Sequence, residues 1–237
     1  QGAAYQFVIG LLHTVLMPED DEAWFEWYQT PPANDVLESR LSLVAHAFQM
    51  TGDGPLFMQD FDKLENTKPS PATSLLIEAP GGNTLKQNTD HFIKRESVQG
   101  FSLEAAALAL FTLQINAPAG GQGHRTGLRG GGPLTSLIRP DPTSTLWQKL
   151  WVNVIHSQNW PFQKPDFHSP SIFPWLGPTQ TSEKKGQEIL PDGEAHPLQM
   201  FWSVPRRIRL LLSDQPGVCS VTGQNSANMV YQLKTVN

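Results

Sequence analysis

Between residues 120 and 132 the chain reads GGQGHRTGLRGGG, 7 glycines in 13 residues. Glycine loses more conformational freedom on folding than any other residue and weakens helices and strands alike. No regular element is therefore expected to cross this stretch. It is the extreme of a wider pattern, because the 237 residues include 19 Gly and 20 Pro. These breakers punctuate residues 50–100 and 157–197, so much of the chain is expected to be loop.

The segments between the breakers set what can fold. Residues 4–16 (AYQFVIGLLHTVL) read as a buried helix. The acidic, aromatic segment 19–28 reads as the next, with Asp20 and Asp21 near its start, where negative charge is favoured. Asn34 and Asp35 are cap candidates for a third helix, in which Val36, Leu37, Leu41, Val44, Ala45 and Phe48 recur at helical spacing. Leu75 to Ile77 suggests a short strand, and residues 83–96 a long polar loop. Ser102 is a good N-cap for the clearest helix, LEAAALALFTLQI, which ends near Asn116-Ala117-Pro118. A further helix is expected around 146–155, with i,i+4 pairs such as Trp147/Trp151. Residues 206–212 (RRIRLLL) read as a strand, and 218–233 as a hairpin turning at Gly223-Gln224-Asn225.

Composition excludes several classes. No apolar run reaches the ~18 residues a membrane span needs, and no secretory leader is recognisable. One cysteine excludes an internal disulfide framework and an all-cysteine zinc site. The net charge of −5 does not advertise a polyanion partner, but the field that matters is local. The first residue is Gln, and the chain is expected to be a piece of a longer protein.

Locally the charge is one-sided. Residues 105–140 contain no Asp or Glu, yet carry Arg125, Arg129 and Arg139. Glycines let a backbone approach a ligand closely, and arginines offer forked donors that suit phosphate. The alternative is a flexible connector with incidental arginines. The stretch lacks the Lys-Ser or Lys-Thr of a mononucleotide loop. It also misses the dinucleotide spacing by one residue and follows a helix rather than a strand. A polymeric nucleic-acid backbone remains. Phe92 beside Lys94 and Arg95 is a second candidate, able to stack a base while the cations hold phosphate; otherwise Phe92 plugs the core. Arg206, Arg207 and Arg209 are a third, the alternative being a solvated strand edge.

Catalytic patterns are thin. The seven histidines show no metal spacing, and no G-x-S-x-G elbow occurs. Cys219 has no histidine near it in sequence. A phosphate- or nucleotide-recognising enzyme using loop 120–132, with Arg125 and Arg129, is the alternative kept open.

Residues 106–139 (AALALFTLQINAPAGGQGHRTGLRGGGPLTSLIR) resemble the signature region of the CasA family, the large subunit of the type I-E CRISPR surveillance complex, Cascade. The pattern is a small-residue helix, a turn, then S/T-G-L-R-G-G-x-P-[LV]-T-[ST], here Thr126 to Ser136. Residues 55–59 (PLFMQ) resemble the family's H-P-F-M-Q. Residues 198–210 resemble its late strand, and 218–223 the turn after it.

The resemblance implies a loop-rich α+β fold, with helices packed on small antiparallel sheets. Residues 1–237 would form one domain, lacking the family's first strands and its C-terminal four-helix bundle. It implies a non-catalytic, cytoplasmic subunit of antiviral defence, without cofactor or membrane. Its partners would be the guide RNA 5′ handle, double-stranded target DNA, the other Cascade subunits and the helicase-nuclease. Such a subunit reads the short motif beside the target, the PAM, through the degenerate minor groove, while guide pairing reads the rest. By position, Gly120, Gly121, Gln122 and Gly123 match the PAM-contacting glycine loop, with His124, Arg125 and Arg129 following. Phe92, Ile93 and Lys94 match the first loop beside the RNA handle, and Lys234 is the nearest candidate for the family's lysine finger. Some members hold zinc with four cysteines at the positions of Ser102, Ala105, Cys219 and Thr222. One ligand of four cannot hold a structural zinc, so no metal is expected, and hydrogen bonds or packing must tie the helix start to the turn.

Overall fold

The computed structural model describes residues 1–80, 82–89, 97–118, 126–130, 135–160, 162–181, 189 and 195–236. Its helices are α1 (Gly2–Leu16), α2 (Asp21–Gln29), α3 (Asn34–Ser42), α4 (Gly82–Lys86), α5 (Leu103–Asn116) and α6 (Leu146–Trp151). Its strands are β1 (Ser70–Pro71), β2 (Phe101–Ser102), β3 (Arg207–Ser213), β4 (Gly217–Val218), β5 (Asn225–Ser226) and β6 (Met229–Val236). The architecture is the mixed α+β one expected, with small antiparallel sheets. The chain groups into two compact units, Gln1–Leu56 with Pro133–Ser203, and Phe57–Gly132 with Val204–Asn237.

The first unit is built on α1 and a shell of aromatic side chains. Ile9, Leu12, Val15 and Leu16 of α1 are buried with Trp151, Trp175 and Trp202. Phe48 meets Phe7, Phe173 and Trp202 edge-on, at 5.9, 5.5 and 5.2 Å between ring centres, the arrangement the ring quadrupole favours. Burying indoles requires partners for their N–H groups, and five have them. Trp24, Trp147, Trp151 and Trp175 donate to the carbonyls of Val154, Trp27, Trp24 and Ala47, and Trp202 to the Thr14 hydroxyl. His13 is also absorbed by this core. Its Nδ1 faces the Ile9 carbonyl and its Nε2 accepts from the Ile155 N–H. One neutral tautomer satisfies both.

The second unit is a four-stranded sheet with α5 packed against it. Strand β6 is central, flanked by β1 and β2 on one edge and β3 on the other, all antiparallel. In β3, Ile208 and Leu210 are buried while Arg207 and Arg209 are half-buried between them, the two-residue period of a strand with one face in the core. Ala106, Leu110, Phe111, Leu113 and Ile115 of α5 complete that core with Phe101, Met229, Val230 and Leu233.

Several local expectations are corrected. The cap of α3 is Ala33, and Asn34 and Asp35 lie inside the helix; α3 ends at Ser42, followed by a 3-10 turn over Ala45–Phe48. Leu75 closes a 3-10 turn, Ala72–Leu75, instead of opening a strand. The buried pair Ala72 and Leu75 is three apart, the 3-10 repeat. Residues 83–86, expected in a loop, lie in the single turn of α4, which Asn88 follows at φ 58°, a left-handed position asparagine tolerates. The 218–233 hairpin is divided. Strands β4 and β5 pair locally around Gly223, whose φ of 71° suits glycine, while β6 pairs with β3. Helix α6 stops at Trp151, short of residue 155. The Asn153 side-chain amide takes the Lys149 carbonyl that a continuing helix would offer to the Asn153 N–H.

Candidate nucleic-acid interface

The glycine-rich stretch leaves α5 through a backbone neck. The Gly127 N–H donates to the Ala117 carbonyl at 2.7 Å, and the Arg129 N–H to the Ile115 carbonyl at 2.9 Å. Two glycines are required by this close approach. A Cβ on Gly127 would lie 2.6 Å from the Ile115 oxygen, and one on Gly130 1.9 Å from the Ala117 oxygen. Neither position tolerates a side chain without opening the neck. Gly120, Gly121, Gln122, Gly123, His124 and Arg125 lie outside the described residues, as do Phe92, Ile93 and Lys94.

The neck is bolted to the sheet by a buried amide. Gln114, fully buried in the last turn of α5, donates to the carbonyls of Met58 and Arg206 and accepts from the Arg206 N–H. The Arg206 side chain donates to the Pro118 carbonyl at 2.8 Å, immediately before the glycines. The root of the loop is thus held from α5, from Arg206 just before β3 and from the segment around Met58. Composition did not reveal Gln114. The signal available was an amide flanked by Leu113 and Ile115 on the apolar run of α5.

The segment after Met58 lines the edge of β3. The Asp60 N–H donates to the Ile208 carbonyl, and the Gln59 side-chain oxygen accepts from the Leu210 N–H. Met58 and Leu64 adopt φ of 52° and 51°, the left-handed region non-glycine residues avoid. What holds this segment is charge. The buried Asp60 carboxylate takes two donors from Arg207, the closer at 2.6 Å, and its carbonyl accepts from Arg209 at 3.0 Å. The arginines of β3 are therefore not a solvated strand edge. Arg206 and Arg207 brace the loop root and the β3 edge.

Of the site residues expected from sequence, Arg129 and Lys234 are described. Arg129 is half-buried, and burial lowers its pKa from the ordinary value, as it does for Arg206 and Arg209. Guanidinium keeps its charge at neutral pH regardless. Lys234 projects from β6, and its Nζ donates to the Glu65 carbonyl at 3.2 Å. Both belong to the second unit.

The positions of the family's zinc ligands converge, with different chemistry. Cys219 is buried and receives hydrogen bonds from the Thr222 hydroxyl and from backbone near Ser102, Val221 and Thr222. The Ser102 hydroxyl caps α5 at the Ala105 N–H. The Ser220 N–H donates to the Gly100 carbonyl, and its hydroxyl accepts from Gln99 and Gly100. Hydrogen bonds tie the helix start to the turn. Among the described residues no group of three His, Cys, Asp or Glu could hold a metal ion.

Charge divides between the units. The first carries 14 Asp and Glu against 6 Lys and Arg, a net of −8; the second carries 8 against 11, a net of +3. Every candidate site residue falls in the positive unit. No helix among the described residues is long and apolar enough to cross a membrane.

Comparisons with known proteins agree with this architecture. The fold is similar to a Thermus thermophilus structure described as CasA (Cse1), with a TM-score of 0.59, 17% identity, and 99% of this chain matching 44% of that one. A structure described as a CRISPR-associated protein from Thermus thermophilus matches with a TM-score of 0.59 at 16% identity, over 100% of this chain and 44% of that one. Another Thermus thermophilus CasA structure matches with a TM-score of 0.56 at 16% identity, over 100% and 43%. The chain thus spans less than half the length of these structures. No curated protein matches it in sequence. The family model for CRISPR-associated protein Cse1 matches residues 1–236, and the chain belongs to that family.

Proposed function

We propose that this chain acts in a Cascade-type, RNA-guided surveillance complex as the non-catalytic part that reads the PAM of double-stranded target DNA. In this reading the guide RNA 5′ handle lies against the Phe92 loop. The other Cascade subunits hold the chain in place in the cytoplasm, and the assembled complex recruits the helicase-nuclease. The observation that carries the reading is the braced neck. An acid-free, glycine-rich segment is anchored at its root by Gln114 and Arg206, in the unit with net positive charge. A bare backbone held at both ends can enter a groove where side chains clash, and narrow-groove potential attracts arginine.

The test replaces Gly121 and Gln122 with Trp in the assembled complex and measures binding to duplexes with and without the PAM. Loss of discrimination between the two, with guide RNA still bound, is the expected outcome. Unchanged discrimination refutes the assignment of the glycine loop.

A further inference from the structure

Helix α2, in the first unit, has two unlike faces. Trp24, Trp27 and Tyr28 are half-buried, while Asp21, Glu22, Phe25, Glu26 and Gln29 are exposed. The inner face is fixed. The Trp24 indole donates to the Val154 carbonyl, and the carbonyls of Trp24 and Trp27 accept from the indoles of Trp151 and Trp147. Asp20 caps the first turn at the Ala23 N–H. The outer face carries an aromatic ring among acids. Phe25 is 54% exposed, and helical spacing sets Asp21, Glu22 and Gln29 within one turn of it, with Glu26 next in the chain. Asp21 meets His156, but Glu22 and Glu26 make no ion pair among the described residues. No cation comes from the surrounding sequence either, because residues 1–39 contain no Lys or Arg. Leu146, 62% exposed, stands near the other end of the helix, as the chain neighbour of the Trp147 that meets Trp27.

We infer that the outer face of α2 docks a protein subunit, with Phe25 seated in an apolar pocket whose rim carries lysine or arginine. The inference rests on the surveillance-complex reading above and names a surface through which the chain is held there. Charge selects the occupant. Carboxylates around Phe25 repel a phosphodiester backbone and an anionic lipid surface alike, which leaves a cationic protein surface. A buried aromatic at the centre of a patch, ringed by polar groups that exclude water, is the arrangement that concentrates binding energy at protein interfaces. The three indole hydrogen bonds hold α2 in place before any partner arrives, so little ordering remains to be done on docking. Glu22 and Glu26 then set which partner approaches and how fast, while Phe25 sets how long it stays.

The experiment uses the full-length protein and the other subunits of its complex, purified with guide RNA, and measures how tightly and how fast the protein joins them. A wild-type protein that does not join would sink the surveillance-complex reading itself. Given wild-type joining, Phe25→Ala should weaken it about tenfold or more and leave the melting temperature unchanged, because the side chain is exposed. Glu22→Gln combined with Glu26→Gln should slow association and flatten its salt dependence. Glu38→Gln, an exposed acid of α3 in the same unit, should do neither. Wild-type affinity in Phe25→Ala overturns the inference. A melting temperature that falls together with affinity also overturns it, since the role of Phe25 would then be structural. An equal slowing by Glu38→Gln does so too, by making the net charge of the unit the whole effect. A photoreactive phenylalanine analogue at position 25 should crosslink to a neighbouring subunit beside lysine or arginine side chains. Crosslinks to guide RNA or to a second copy of this chain refute the stated occupant.

Discussion

Cys219 is buried among polar groups that act on its thiol. Burial pushes the pKa up, while the Thr222 hydroxyl and the backbone at Ser102, Thr222 and Val221 stabilise the thiolate. The net result lowers it from 9.0 to about 7. A pKa lower in the folded state than in the unfolded one means that ionisation favours folding. The contribution is complete above pH 9, where both states are ionised, and is lost as pH falls through about 7. Thermal stability of the chain should therefore rise between pH 7 and 9, by on the order of 1–2 kcal/mol. Cys219→Ala should remove that part of the pH dependence. The measurement is a pair of melting series in that range; parallel curves for the two proteins would show that the thiol stays protonated. At this scale hydrogen bonds tie the start of α5 to the β4–β5 turn.

At the scale of elements, what was legible in the sequence is what local rules decide. Helix α5 needs only its run of strong formers and the Ser102 cap, and strand β3 only its alternation. The β3–β6 pairing was not legible, because register follows from which faces are buried, and Gly223 signals a local hairpin that accounts for β4 and β5 alone. The bracing of the loop root was hidden for the same reason. Gln114, Met58 and Arg206 are far apart in the chain and meet only in the folded unit. Their joint role makes a prediction. Gln114→Leu leaves the buried Met58 carbonyl and the part-buried Arg206 N–H and carbonyl without their partner. Each such group costs about 1–3 kcal/mol. Urea unfolding should show a loss of at least about 2 kcal/mol, with duplex affinity reduced in the same complex. Gly130→Ala attacks the neck from the other side, through overlap with the Ala117 carbonyl, and should cost about 1–3 kcal/mol. A neutral result for both would mean that the neck bears no load.

At the scale of the whole molecule, a net charge of −5 conceals two units of opposite net charge. From residue 1 to 39 there is not one Lys or Arg, and seven acids occur. The unit containing this segment carries net negative charge, while the unit carrying α5, β3 and β6 carries net positive charge, the sign that the proposed nucleic-acid contact requires. Steering at moderate salt acts over about a Debye length, 8–10 Å, so in the proposed function the local net charge matters more than the −5 of the whole chain. This division argues for attachment through one unit only, with the acidic unit left to proteins or solvent. Photo-crosslinking of bound duplex in the assembled complex, read out by peptide mass, tests it. Crosslinks should map to residues 57–132 and 204–237. A majority in residues 1–56 and 133–203 would show that the sign of the local field does not govern where the nucleic acid lies. The glycine neck and the Arg206 brace would then need a different partner.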